Sequence, residues 1–191
     1  MRKLIYSLSV SLDGFMETTD HRIDWVMVDE ELHTFFNEQA RGVDTFVYGR
    51  RMYELMAAYW PTADTLPGQL AVEVEFAAIW KNTLKVVFSK TLDKVEWNSR
   101  LARDGVAEEI AKLKAQPGRD LGIGGAHIAG QCMRLGLIDE YQLFVNPVVL
   151  GGGTPFFGAL DTPIKMRLME TRTFRAGVVY LRYAAETNHA A

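Results

Sequence analysis

Cysteine is almost absent from the sequence, since Cys132 is the only one among 191 residues. A single cysteine forms no disulfide within the chain and leaves no Cys-x-x-Cys pair for a metal site. The histidines do not fill that role, because His21 and His33 have no partner at a metal-ligand spacing. We therefore expect no resident metal, and the scarcity of cysteine favours a reducing, cytoplasmic setting.

Long apolar runs and an excess of one charge are also lacking. No uninterrupted apolar stretch reaches the length of a membrane-spanning helix, and the N-terminal Met-Arg-Lys-Leu-Ile-Tyr-Ser enters a strand pattern instead of a targeting signal. The formal net charge is only −3, from 21 basic and 24 acidic residues. We therefore expect a small-molecule substrate as the partner, and neither nucleic acid nor a membrane.

Apolar strands and amphipathic helices alternate along the first two thirds of the chain. The pattern predicts strands at residues 3–10, 44–48, 84–88 and 120–123, with a short extended piece at 95–97. It predicts helices from Asp29 to Gly42, from Gly49, from Pro67, over residues 106–113 and from the turn at Gly125 to Gly136, and an irregular segment at 15–28. Such an alternation indicates a parallel sheet with helices on both faces.

The last third of the chain has a different pattern. Residues 141–145, 164–168 and 179–183 each alternate apolar with polar side chains, and no helix of any length is predicted between them. We expect them to add antiparallel strands to the edge of the sheet. Because the chain shows no repeat, low-complexity linker or domain boundary, it is predicted to form one domain over residues 1–191.

The stretch Asp120-Leu-Gly-Ile-Gly-Gly-Ala-His-Ile-Ala-Gly130 joins a predicted strand to a helix with an apolar stripe of Ile128, Cys132 and Leu135. Gly124 and Gly125 allow positive φ and close approach of a ligand, and the free N–H groups that follow suit a phosphate. The dinucleotide fingerprint G-x-G-x-x-G is nevertheless broken, because its third glycine is replaced. An ordinary strand-to-helix turn with small residues for tight packing is therefore the alternative.

Polar residues and glycines also follow the other predicted strands. In a parallel sheet, ligands gather beyond the carboxyl ends of the strands. The residues at those ends are Ser11 and Asp13, then Gly49, Arg50 and Arg51, then Ser89 and Lys90, then Gly124 and Gly125. Arginine forks onto phosphate oxygens, serine donates a hydroxyl and lysine adds a charge, so this set predicts an anionic nucleotide site.

The order of these motifs resembles the dihydrofolate reductase-like superfamily. The motifs are Leu-Ile-Tyr-Ser-Leu-Ser-Val-Ser-Leu-Asp-Gly, Val-Tyr-Gly-Arg-Arg-Met-Tyr-Glu, Val-Val-Phe-Ser-Lys-Thr and Ile-Gly-Gly-Ala-His-Ile. Within it, Leu137-Ile-Asp-Glu140 and the loop Pro147–Phe156 are most similar to the reductase domain of the bifunctional riboflavin-biosynthesis deaminase-reductase. The resemblance spans residues 3–185 and implies a three-layer α/β/α fold with a mostly parallel central sheet and antiparallel C-terminal strands.

The resemblance also implies NADPH as the cofactor. Cofactor phosphate would be held by Gly49, Arg50 and Arg51, the ribose 2′-phosphate by Ser89 and Lys90, and the pyrophosphate by Gly124, Gly125, Ala126, His127 and Ile128. The nicotinamide would lie near Ser9 and Ser11. The resemblance further implies a homodimer, for which strand residues 178–184 could supply the interface.

The substrate side is less defined by the motifs. The resemblance suggests a pocket walled by residues 13–36, including Trp25, Asp29 and Phe36, with Asp13 as the candidate catalytic and substrate-binding group. Two of these have structural alternatives, since Asp13 suits a turn and Asp29 suits a helix cap. No residue is identified as the proton donor.

Two functions follow from these observations. The first is an NADPH-dependent reductase that transfers a hydride to a C=N or C=O carbon of a small heterocycle, either 5-amino-6-ribosylaminouracil phosphate-like or pterin-like. The second is a non-catalytic module of the same fold that binds NADP(H) or a related nucleotide.

Overall fold

Ten strands and five helices follow one another in residues 1–186, the part of the chain that the computed structural model describes. The strands are β1 (Leu4–Val10), β2 (Phe15–Glu17), β3 (Val43–Gly49), β4 (Leu84–Phe88), β5 (Ser99–Leu101), β6 (Asp120–Gly124), β7 (Glu140–Val145), β8 (Thr154–Pro155), β9 (Met166–Thr173) and β10 (Val179–Ala185). The helices are α1 (Glu30–Arg41), α2 (Arg50–Ala63), α3 (Ala71–Asn82), α4 (Val106–Ala115) and α5 (Ala126–Arg134). The predicted single domain also includes residues 187–191, which lie outside the described residues.

Eight strands form the central sheet in the order β5-β4-β3-β6-β1-β7-β10-β9. The strands from β5 to β7 pair in parallel, whereas β10 runs antiparallel to both β7 and β9. The predicted mostly parallel sheet with antiparallel C-terminal strands is thus confirmed. One detail is corrected, because β7 is an inner strand parallel to β1 and not an antiparallel edge strand.

Helices cover both faces of this sheet, which gives the predicted three layers. Side chains of β3 alternate between them: Val47 packs in the cluster that contains α4 and α5, while Phe46 and Tyr48 pack in the cluster that contains Trp80 of α3. A third cluster joins Phe35 of α1 to residues of β7 and β10. Alternation of apolar side chains on a strand buried on both faces is what a sheet sandwiched between helices requires.

Several predicted boundaries are wrong. The segment 15–28 contains β2, which pairs with β8, and the extended piece at 95–97 is replaced by β5, because Trp97 and Asn98 take positive φ and interrupt the backbone there. Helix α3 begins at Ala71 and not at Pro67, while α2 continues through Pro61 to Ala63. These differences share a cause, because local turn residues indicate the predicted boundaries whereas tertiary packing sets the observed ones.

The buried stripe of α5 is partly confirmed. Ile128 and Cys132 are buried, but Leu135 is 53% exposed, because it forms the C-cap just after the last turn. Gly136 follows with positive φ, as a helix stop requires. The end of this helix is therefore placed correctly, but its apolar face is one residue shorter than expected.

The C-terminal hairpin places β10 inside the sheet and β9 at its edge. Most side chains of β9 are exposed, including Leu168 and Met169, whereas Val178 and Tyr180 of the segment proposed for a dimer interface are buried. The homodimer stays a prediction, and the open surface of this hairpin belongs to β9. Among the described residues, no helix has the length and apolarity needed to cross a membrane.

Candidate active site

The parallel strands β3, β4, β5 and β6 end at one edge of the sheet, where the following loops surround a cleft. The cleft has a volume of about 1050 Å³. Each of the four strand ends contributes to its lining, with Gly49–Met52 from the end of β3 onward, Phe88–Thr91 from the end of β4 onward, Ala102–Val106 after β5 and Gly125–Ile128 after β6. The structure thus brings together the predicted residues Gly49, Arg50, Arg51, Ser89, Lys90, Gly125, Ala126, His127 and Ile128.

Three helices begin at this cleft, and each has a glycine at its N-cap. The N-caps are Gly49 of α2, Gly105 of α4 and Gly125 of α5, and none of them makes a side-chain capping bond. Glycine has no side chain to occupy the first N–H groups of a helix, so these donors stay available to a ligand. Because the positive ends of three helix dipoles point toward one space, the cleft suits a molecule with several anionic groups.

Gly125 is required by its backbone and by its surroundings. Its φ is +100°, and a Cβ placed there would lie 3.2 Å from Cβ of Met52. A Cβ on Gly124 would lie 3.0 Å from Cε of Met52. The tight-packing interpretation of these glycines therefore fits the side next to α2, while α5 begins among residues that line the cleft.

The two predicted phosphate-binding arginines lie in the cleft but already have partners. Arg51 donates to Glu17 through Nη1 at 3.0 Å and through Nη2 at 2.6 Å. Arg50 donates to Oε1 of Glu54 at 2.8 Å and to Oγ1 of Thr91 at 2.7 Å. A guanidinium has five N–H donors, so these bonds hold each arginine in place and still leave it donors for an anion.

Glu17 is the carboxylate that holds Arg51, and it is not among the site residues predicted from the sequence. Its Oε1 also accepts from Oγ1 of Thr154 at 2.6 Å, which ties β2 and β8 to α2 across the mouth of the cleft. Burial opposes the charged form of this carboxyl, but the hydrogen bonds from Thr154, Arg51 and His21 outweigh it and lower the pKa of Glu17. The ion pair therefore persists at neutral pH.

Two other cations line the cleft without such partners. Lys90 and Arg103 have no ion pair or hydrogen bond to any of the described residues, and both are exposed. Arg103 was missed because the preceding strand was placed at 95–97, which put its carboxyl end at the wrong residue. Correct placement of β5 would have identified Arg103 by the same strand-end argument that identified Lys90.

Ser89 also lies in the cleft, where its hydroxyl shapes the loop. Its Oγ accepts from the backbone N–H groups of Thr91 at 3.1 Å and Leu92 at 3.0 Å. The oxygen is thereby occupied as an acceptor, while the hydroxyl proton can be donated to a ligand.

A second cavity of about 520 Å³ lies on the sheet face covered by α1, α2 and α3. Its aromatic walls are Phe36 of α1, Trp60 of α2 and Phe76 of α3, and β1 contributes Ser7 and Ser9. Leu8 and Met52 line both the cleft and this cavity, so the two spaces are neighbours. Gly124 and the predicted cofactor residue Ser9 line the cavity and not the cleft.

Of the predicted substrate residues, Phe36 lines the cavity, but Asp13, Trp25 and Asp29 line neither space. Asp29 caps α1 by accepting from the N–H of Leu32 at 2.8 Å. Trp25 donates from Nε1 to the carbonyl of Arg22 at 3.3 Å. The helix-cap alternative for Asp29 is thus the one that the structure supports.

Asp13 connects a turn to the glycine-rich loop. Its carboxylate accepts from Oγ of Ser11 at 2.6 Å and from the N–H groups of Leu150 at 3.1 Å and Gly151 at 2.7 Å. The hydrogen bond from Ser11 is the main reason that the pKa of Asp13 is lowered. An ionised carboxylate whose oxygens already accept three bonds shapes a loop, so the turn alternative fits this geometry better than catalysis does.

His33, which was considered in the sequence only as a metal ligand, lines the cavity. Its imidazole lies between three aromatic rings, with centroids 6.4 Å from Phe36, 6.2 Å from Trp60 and 6.0 Å from Phe76. The signal was present, because His33 and Phe36 are three residues apart and share a face of a predicted helix. Within residues 1–186, no group of three or more His, Cys, Asp or Glu side chains is arranged to hold a metal ion.

The chain is similar in sequence to known proteins. The sequence model of the RibD C-terminal domain matches residues 2–180. YyaP, an uncharacterized protein of Bacillus subtilis strain 168, is 34% identical over 183 residues, which cover 95% of this chain and 94% of YyaP.

Solved structures show the same fold at lower sequence identity. A protein of Shewanella sp. PV-4 provisionally assigned to riboflavin biosynthesis aligns with a TM-score of 0.77 at 22% identity, covering 97% of this chain and 99% of that one. Dihydrofolate reductase from Enterococcus faecalis, complexed with NADP(H), aligns with a TM-score of 0.63 at 16% identity, covering 96% of each chain. The deaminase/5-amino-6-(5-phosphoribosylamino)uracil reductase of Thermotoga maritima aligns with a TM-score of 0.66 at 14% identity, over 97% of this chain but 57% of that one.

Proposed function

The chain belongs to the RibD C-terminal domain family, and on that premise we propose that it is an NADPH-dependent reductase of a small heterocyclic substrate. The hydride acceptor would be a C=N or C=O carbon. The observation that carries the proposal is the convergence of three glycine-capped helix N-termini on a cleft that shares Leu8 and Met52 with an aromatic cavity. A cleft for anionic groups beside a cavity for a flat ring is what a reductase of this kind needs.

The residues of the cleft fit NADPH as the cofactor. The N–H groups at the start of α5 would hold the pyrophosphate, and Lys90 and Arg103 would hold the additional phosphate on the adenosine ribose. Arg50 and Arg51 would act mainly through the loops that they brace. When bound, the dihydronicotinamide supplies the hydride, while the protein positions the substrate and excludes water.

The cavity would hold the substrate. Phe36, Trp60 and Phe76 offer aromatic surface to a planar ring, and Ser7 and Ser9 on the opposite strand offer hydroxyl groups. Met52 and Leu8 separate the two spaces, so a ring that extends from the cleft past these side chains would meet the substrate. Two substrate classes fit: one like 5-amino-6-ribosylaminouracil phosphate, the ring type named for the Thermotoga relative, and one like a pterin.

Titration and turnover test the proposal. Binding of NADPH and NADH would be followed by the fluorescence of the dihydronicotinamide, and oxidation by absorbance with a panel of ribosylaminopyrimidine and pteridine substrates. We expect at least tenfold tighter binding of NADPH than of NADH and oxidation with a member of the panel. Absence of NADPH binding would overturn the proposal, while tight binding without any turnover would favour the non-catalytic module.

A further inference from the structure

His33 is a polar residue of α1 whose imidazole lies among aromatic side chains on the helical side of the cavity. It follows Asp29 by one helical turn, and the carboxylate of Asp29 is engaged in capping α1. The ring edges and faces around His33 come from α1, α2 and α3, and none of these aromatic side chains offers an oxygen acceptor. The imidazole is therefore surrounded by groups that do not satisfy its hydrogen-bonding capacity.

Nδ1 of His33 is buried and has no hydrogen-bond partner among the described residues. Three other side-chain atoms in residues 1–186 share this state, namely Oδ1 of Asn37, Nε1 of Trp80 and the hydroxyl of Tyr180. Of these four residues only His33 lines the cavity or the cleft, and its side chain is half-buried. Nδ1 itself is closed off, whereas Nε2 is not and has no hydrogen-bond partner among the described residues, so a ligand in the cavity would meet the imidazole at Nε2.

The position of His33 matches what a flat heterocycle requires. A planar ring between aromatic side chains is held by stacking and edge contacts, which fix its plane but leave it free to rotate within that plane. A hydrogen bond at the edge of the ring removes this freedom. In an apolar pocket, a few convergent polar groups usually set the orientation of the ligand.

We propose that His33 forms this hydrogen bond and thereby selects a heteroaromatic ring with polar edge groups over an apolar ring of the same size. The inference rests on the proposed function for the identity of the substrate class. It assigns to His33 a direct substrate contact that orients the ring, and it makes the imidazole a specificity-determining group of the cavity beside the hydroxyl groups of Ser7 and Ser9.

The experiment compares two probes in the wild type and in two variants. 5,6-Diaminouracil presents a polar edge, benzene presents none, and entry of either probe would be followed by the change in intensity or wavelength of the fluorescence of Trp60. The variant Trp60→Phe identifies the signal. His33→Phe removes the imidazole but keeps an aromatic ring, and His33→Gln keeps a hydrogen-bonding group without the ring.

We expect His33→Phe to weaken binding of 5,6-diaminouracil at least tenfold, with benzene affinity unchanged within twofold. His33→Gln should recover part of the loss. Its thermal unfolding shows whether this variant folds. Equal losses for both probes would show a packing role and overturn the inference, as would unchanged binding of 5,6-diaminouracil or no binding to the wild type. Both variants should bind NADPH as the wild type does, which separates this inference from the cofactor proposal.

Discussion

The cleft at the strand ends and the cavity on the sheet face are neighbours, yet they are built from different parts of the chain. The cleft uses main-chain N–H groups and residues that directly follow strands, such as Gly49 and Gly125. The cavity uses side chains from three helices, among them His33 and Trp60. Backbone geometry therefore controls what the cleft binds, whereas side-chain identity controls what the cavity selects.

The largest effect that would test this comparison is expected at Gly125. Gly125→Ala places a Cβ at φ +100° and 3.2 Å from Cβ of Met52. The strain costs about 1–3 kcal/mol in the free energy of unfolding. Displacement of the first N–H groups of α5 should raise the Kd for NADPH about a hundredfold, because each charge-assisted bond contributes about 1.5–3 kcal/mol. Urea unfolding and fluorescence titration measure the two quantities.

Two other glycines serve as matched controls. Gly130→Ala lies in the same helix, where the new Cβ would meet only Nη1 of Arg134 at 3.7 Å, so NADPH affinity should not change. Gly49→Ala keeps a φ of −77° and should be tolerated as well, since its Cβ would lie 3.7 Å from Cγ2 of Ile128. If all three variants bound NADPH equally, the backbone of α5 would not be part of the site.

A smaller effect is expected from the cations of the cleft. Lys90→Ala and Arg103→Ala should each weaken NADPH about tenfold and leave NADH nearly unchanged, because a surface phosphate contact contributes roughly 1–2 kcal/mol. Arg51→Ala should weaken NADPH less than either, since its guanidinium is held by Glu17. Titrations with both cofactors give the ratio of the Kd values for NADH and NADPH. This ratio distinguishes the loss of a phosphate contact from a general loss of positive charge.

Lys94→Ala provides the control for these variants. Lys94 is 84% exposed in its side chain and does not line the cleft. It should therefore leave the preference for NADPH over NADH unchanged. A loss at Arg51→Ala larger than that at Lys90→Ala would contradict the assignment and would mean that the pair with Glu17 opens when the cofactor binds.

The same contrast explains how far the sequence could predict the site. Gly49, Ser89 and Gly125 were found because each directly follows a strand whose apolar pattern is local. Arg103 was missed only because the strand before it was predicted at residues 95–97. The positive φ of Trp97 and Asn98 interrupts the backbone there, and the observed strand β5 follows them. The alternating pattern and the three layers followed from periodicity, and they were confirmed.

The cavity was less predictable because its members meet only through packing. Trp60 and Phe76 lie on separate helices, and nothing local tells which face of each helix points toward His33. The partner of Arg51 was equally hidden, since Glu17 lies in a segment that was expected to be irregular and becomes β2 only by pairing with β8. Asp13 was identified by its place after a strand, but its carboxylate turns toward the glycine-rich loop.

Behind the cavity wall, Lys85 of β4 supports α3, which carries Phe76. Lys85 is fully buried, and its Nζ donates to the carbonyls of Trp80 at 2.5 Å and Thr83 at 2.8 Å. Its Nζ also lies 4.0 Å from the centroid of the Trp80 ring. Burial lowers the pKa of this amine from 10.5 to about 8. The protonated form is therefore favoured more strongly in the unfolded chain than in the folded protein.

The smallest expected effect is a pH dependence of stability that arises from this amine. Between the folded pKa of about 8 and the unfolded value of 10.5, the unfolded chain binds more protons, so the free energy of unfolding should rise with pH. The gain is about 1 kcal/mol from roughly pH 7.5 to pH 9. Above that range the buried thiol of Cys132, with its pKa raised to about 12, acts in the opposite direction.

Urea unfolding measures this dependence. The free energy of unfolding of Lys85→Met should not rise from roughly pH 7.5 to pH 9, whereas that of Lys94→Met should rise as in the wild type. If the free energy of unfolding of Lys85→Met still rose with pH, another group would be titrating, and the amine behind the cavity wall would not be the cause.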